Sequence, residues 1–146
     1  MLLQFSVENF RSIKDKAVLS MIASADEQHS NNYSLFGKDK CLKTVAVYGA
    51  NAAGKSNLFL ALTTAIMAVR MSNDRQLGMP IMNIMPFLFD QKTAHAPSSF
   101  EFIFIADGKK YVHVPNYRIS GRRKYPVYRN CKLDDAEIGG KMAAGL

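Results

Sequence analysis

The eight residues Gly49-Ala50-Asn51-Ala52-Ala53-Gly54-Lys55-Ser56 restrict the possible folds of this chain more than any other stretch. Before them runs Thr44-Val45-Ala46-Val47-Tyr48, short, apolar and β-branched, which predicts a strand covered on both faces as in a parallel sheet. After them Leu58, Leu62, Ala65, Ile66 and Val69 fall on one continuous face of a helix that starts at Lys55 and ends at Ser72-Asn73-Asp74. The chain must therefore pass from strand to helix through one tight loop, with Gly49 and Gly54 supplying the backbone freedom for it.

The spacing Gly-x-x-x-x-Gly-Lys-Ser in that setting is the pattern of a phosphate-binding P-loop. Backbone N–H groups of such a loop point inward at a β-phosphate. The helix that opens there adds unpaired N–H donors and its dipole. Lys55 is expected to reach the β- and γ-phosphates, and the Ser56 hydroxyl to coordinate magnesium. The sequence thus predicts ATP and Mg2+ as ligands, with GTP the alternative nucleotide. The predicted binding set is Gly49, Ala50, Asn51, Ala52, Ala53, Gly54, Lys55, Ser56 and Asn57.

Elsewhere the periodicity is mostly that of strands. Leu3, Phe5 and Val7 alternate with Gln4, Ser6 and Glu8, the period of a half-buried strand. A second strand is expected near Ala17–Ala23, and residues 24–40 read as a loop with a short element at Tyr33–Phe36. Residues 73–98, broken by Gly78, Pro80, Pro86 and Pro97, predict irregular structure with one short helix. Phe100–Ile105 is a strand, Asp107-Gly108 has hairpin-turn chemistry, and Lys110–Val114 is its returning partner.

At 146 residues the chain can hold one domain or the front part of a larger one. Hydrophobic residues make up 48% and charged residues 21%, which excludes a disordered polymer. No run of eighteen apolar residues spans a membrane, and the N-terminus lacks the basic flank of a signal peptide, so a cytoplasmic location is expected. Cys41 and Cys131 have no nearby thiol partner, which argues against a metal site or a disulfide scaffold.

Residues 49–58 resemble the Walker A segment of ABC-type ATPase heads of the SMC and RecF kind, and of bacterial AAA-family ATP-binding proteins related to the OLD nucleases. Asn51 and the Ser56-Asn57 pair carry the likeness. So do Glu8-Asn9-Phe10-Arg11-Ser12-Ile13, Val18–Ala23, Pro86-Phe87-Leu88 and Phe100–Tyr111, so that it covers residues 1 to about 112. The resemblance implies an α/β P-loop NTPase lobe with a mixed sheet and an antiparallel hairpin layer. It further implies two copies sandwiching ATP, and in some members a nuclease partner, DNA and a role in phage defence. Arg11 and Ser12 are carried over as residues near the nucleotide.

The family hydrolyses ATP with a signature motif and a Walker B Asp-Glu pair, and this chain has no counterpart of either. Phe87-Leu88-Phe89-Asp90 ends in Asp, yet Gln91 stands in the place of the glutamate and Pro86 disfavours a central strand. Ile103–Asp107 also ends in Asp, but Asp107-Gly108 is turn chemistry. The lobe at 1–114 is thus expected to bind nucleotide and hydrolyse it poorly. Residues 115–146 read as a poorly structured basic tail, the product of a frameshift or truncation that begins near residue 112. Residues 109–146 hold nine Lys/Arg against three Asp/Glu, whereas 1–108 hold ten against nine. The alternative reading is therefore a non-catalytic fragment whose tail binds nucleic acid or other polyanions.

Overall fold

The computed structural model describes residues 1–24, 29–37, 39–70 and 84–114, and the backbone of 116–120, 123–128 and 131–133. It is a mixed α/β arrangement in which one sheet carries one long helix. The sheet grows from β1 (Leu2–Glu8), which pairs antiparallel with β2 (Ala17–Ser20) on one side. On its other side β1 pairs antiparallel with a strand far along the chain, Ser98–Ala106. Between them lie β3 (Tyr33–Phe36) and β4 (Asp39–Leu42), an antiparallel pair that forms a separate two-stranded sheet. Ser98–Ala106 is therefore β5. It turns back into β6 (Lys109–His113) through Asp107 and Gly108, at φ 49° and 72°. Left-handed backbone at both central positions is the geometry that matches strand twist, and glycine adopts it without a Cβ penalty.

Every strand pairing among the described residues is antiparallel. This corrects the expected mixed sheet. The parallel strand predicted at Thr44–Tyr48 is not formed: those residues belong to no strand, and Val47 and Tyr48 are 50% and 90% exposed. A short β-branched run becomes a buried strand only when neighbours take its backbone donors and acceptors. None of the described residues does so here.

Within 115–146, which the sequence reads as a poorly structured basic tail, the described backbone forms three strands. β7 (Asn116–Ser120) pairs with β5 and with β8 (Arg123–Tyr128), and β9 (Cys131–Leu133) pairs with β6.

Helix α1 (Lys55–Arg70) lies against the sheet by only part of the predicted stripe: Ala65 is buried, and Leu58 and Leu62 pack partly buried on the core. Its buried residues are Ala61, Thr64, Ala65 and Ala68, at i, i+3, i+4 and i+7, while Ile66 and Val69 stay exposed. The sheet supplies the bulk instead. Phe5 packs on Phe102 with ring centroids 5.1 Å apart, and Phe10 meets Phe100 edge-on at 5.6 Å. Large aromatic side chains on the sheet leave room only for small ones on the helix. Leu58, Leu60 and Leu62 flank this contact, partly buried.

β1 likewise departs from simple alternation. A register shift between Leu2 and Gln4 turns Leu3 away from Phe5 and Val7, into a second cluster with Cys41 and Ile105. An irregularity of this kind moves a side chain to the opposite face. The short helix expected within 73–98 is α2 (Gln91–Ala94); Ser72-Asn73-Asp74, Met79 and Met82 lie outside the described residues.

Candidate functional site

The P-loop segment stands as a loop between the exposed stretch 44–48 and the first turn of α1. Ala52 and Gly54 take positive φ, 64° and 91°. At Gly54 a Cβ would meet only the Ser12 hydroxyl oxygen, at 3.9 Å, so its backbone angle and not crowding favours glycine. Ala52 has no such freedom and stores a little strain, of about 1 kcal/mol for a left-handed alanine.

Lys55 closes the loop on itself. Its ammonium donates to the carbonyl oxygens of Gly49 and Ala50, at 2.8 and 2.6 Å. An ammonium has three protons to donate, and the third finds no acceptor among the described residues. The first i→i−4 bond of α1 runs from the Leu58 N–H to the Gly54 carbonyl at 3.0 Å. Helix geometry leaves the N–H groups of Lys55, Ser56 and Asn57 without an intrahelical acceptor of that kind. A cation and a set of unpaired donors therefore meet at one helix start, an arrangement suited to a tetrahedral oxyanion.

Ser12 and Arg11, both expected at the site, go different ways. The Asn57 side-chain amide donates to the Ser12 hydroxyl at 2.6 Å, tying the turn after β1 to the first turn of α1. Arg11 instead sets its guanidinium 5.8 Å from the centroid of the Phe10 ring, and its backbone N–H donates to the Met85 carbonyl at 2.8 Å. Its Nε is buried with no hydrogen-bond partner among the described residues. Arg11 lines neither of the cavities beside Lys55.

Those cavities flank the lysine. One, of about 400 Å³, lies between the turn after β1 and the loop, bounded by Ser12, Ile13, Tyr48 and Gly54. The other, of about 440 Å³, is an apolar groove along α1 bounded by Leu19, Val45, Phe59 and Leu62, with Ser56 at its edge. Ser56 is exposed, and its hydroxyl makes no hydrogen bond to the described residues. It is thus free to act as a metal ligand, in the role its position predicts.

The chain matches no family model, no curated protein and no solved structure. Its chemistry is accordingly read from its own residues.

The two aspartates that end apolar runs are both in structural use. Asp90 caps α2, accepting from the Lys92 N–H at 2.8 Å, and pairs with the Lys14 ammonium at 2.8 Å. Asp107 belongs to the β5–β6 turn. Among the described residues no carboxylate lines either cavity beside Lys55. Among the described residues no group of three or more His, Cys, Asp or Glu gathers for a metal.

One residue to which the sequence assigns no role of its own is central to placing Ser12. Asn9, buried and at φ 54°, donates its side-chain amide to the Thr93, Ala96 and Pro97 carbonyls at 2.8–3.2 Å. Its side-chain oxygen accepts from the Phe87 N–H at 2.8 Å, and its backbone carbonyl accepts from the Ser98 hydroxyl at 2.6 Å. This clamp fixes the turn that carries Ser12. Left-handed backbone is several-fold commoner in asparagine than in most residues, and that preference is the signal the sequence offered.

Proposed function

We propose that residues 49–57 bind the phosphates of a nucleoside triphosphate, ATP before GTP, together with magnesium. The observation that carries this reading is the convergence of the Lys55 ammonium, its third proton without an acceptor among the described residues, on the N-terminal turn of α1. Phosphate oxygens compete well for such donors because the hydrogen bonds are charge-assisted. The Ser56 hydroxyl would supply one oxygen to a magnesium ion held mainly by the phosphates themselves, and the ion would neutralise phosphate charge. Ser56 is exposed and Lys55 and Asn57 are half-buried, which leaves room for that arrangement at the first turn of α1.

The proposal is binding without efficient turnover. Phosphoryl transfer to water requires a group that orients the attacking water, and among the described residues neither cavity beside Lys55 offers a carboxylate for it. The sequence resemblance to ABC-like ATPase lobes favours ATP as the nucleotide. A P-loop NTPase identity, a paired second lobe, a nuclease partner, DNA and phage defence all belong to that same proposal.

Competition against a fluorescent ATP analogue tests it. ATP and tripolyphosphate are expected to displace the probe, more strongly with magnesium present, while adenosine does not. Displacement by adenosine as good as by ATP, with tripolyphosphate inert, would place recognition on the base and overturn the phosphate reading.

A further inference from the structure

The side chain of Asn57 is committed to Ser12. Its amide donates to the Ser12 hydroxyl oxygen at 2.6 Å, and among the described residues this is the one hydrogen bond that joins residues 9–14 to residues 49–57. Each end of that bond is anchored independently. On one side Phe10 and Ile13 exchange backbone hydrogen bonds of 2.8 Å, and the Asn9 N–H donates to the Lys14 carbonyl at 3.1 Å. Ser12 therefore stands at the tip of a closed hairpin turn, whose Phe10 side chain is fully buried. On the other side Ala61, Ala65 and Ala68 seat α1 on the same core as Phe10.

What this bond leaves at Ser12 is a donor. A hydroxyl has one proton to give and lone pairs to accept with. The Asn57 amide occupies the accepting side, so the proton is left for a partner in the cavity of about 400 Å³ that Ser12 bounds with Gly54 and Lys55. The hydroxyl oxygen lies 3.9 Å from where a Cβ of Gly54 would be, beside the loop that Lys55 closes.

Resting on the phosphate reading of that loop, we propose that Asn57 is a positioning residue of the nucleotide site, whose side chain acts on the ligand through Ser12. Its amide turns the Ser12 proton toward an oxygen of the bound nucleotide and holds the hairpin beside the loop before the ligand arrives. A donor oriented in advance loses less freedom on binding than one that must be ordered at that moment. The bond is exposed to water and adds little to the stability of the fold, so its effect falls on affinity.

Calorimetric titration of magnesium-ATP into the full chain and its variants tests this. Asn57→Ala should weaken binding about fivefold, the contribution of one hydrogen bond, and Ser12→Ala at least as much. In the Ser12→Ala background Asn57→Ala should cost nothing further, because the group it acts through is gone. Ser12→Thr keeps the hydroxyl and should recover most of the loss. A double variant as weak as the product of two fivefold losses, about twenty-fivefold, would make Asn57 an independent ligand and overturn the positioning role. Wild-type affinity in Asn57→Ala overturns it too, as does Ser12→Thr binding no better than Ser12→Ala. Lys55→Ala keeps the two readings apart. If it alone loses affinity, the phosphate loop stands and the role of the Ser12–Asn57 pair falls. If it binds as wild type does, the phosphate reading falls and this one with it.

Discussion

Asp90 illustrates how a residue with the look of a catalytic acid can be wholly occupied by architecture. Its carboxylate is held below the ordinary value by the Lys14 ammonium hydrogen-bonded to it and by the Lys92 N–H of the helix it caps. Lys14 is in turn raised, first by that same hydrogen bond. A depressed carboxylate contributes stability above its unfolded pKa and loses it as pH falls through the folded value. A raised lysine contributes below its unfolded pKa and loses that contribution as pH rises through the folded one. The Lys14–Asp90 pair should therefore stabilise the fold across the neutral range and fail at both extremes. Asp90→Asn keeps a capping acceptor but removes the charge. Its melting temperature should lie below wild type at pH 7, and the two should converge as pH drops toward 2. A gap that persists unchanged at pH 2 would mean the charge is not what matters. At this scale the sequence was readable where one residue has one job, as at Asp107-Gly108 in the hairpin turn. It was unreadable at Asn9, five of whose hydrogen bonds reach residues more than seventy positions away.

At the scale of elements, α1 was legible as a helix and only in part as a surface. Its period predicts a stripe through Leu58, Leu62, Ala65, Ile66 and Val69, yet of these only Ala65 is fully buried, beside Ala61, Thr64 and Ala68. The choice is made by Phe5, Phe100 and Phe102 on the sheet, which occupy the space that larger helix side chains would need. Periodicity within one segment does not report the bulk of the surface it meets. Ala65→Leu should consequently destabilise the fold by about 1–3 kcal/mol, the usual effect of overpacking a filled contact. Thermal or urea unfolding would measure it, and a neutral result would mean that the helix rides further from the sheet. β1 carries the same lesson, since nothing in its alternation announces the register shift that sends Leu3 to a different cluster.

For the whole molecule, the strands at both ends of the chain close one antiparallel sheet, and α1 covers part of it. The strand-loop-helix unit on which the sequence reading turned survives in its loop and helix but not in its strand. Phosphate recognition needs only the first two, because the donors come from the loop, Lys55 and the opening turn of the helix. The expected strand is not formed because, among the described residues, none pairs with the backbone of Thr44–Tyr48, which the sequence pattern of that segment could not reveal. No helix among the described residues is long and apolar enough to cross a membrane.

The central claim is that Lys55 and the loop it closes hold triphosphate oxygens. Calorimetric titration of magnesium-ATP into wild type and Lys55→Ala tests this most directly. The account predicts at least a tenfold loss of affinity, which corresponds to about 1.4 kcal/mol, with the fold intact by circular dichroism. Equal affinity in the two proteins would contradict it.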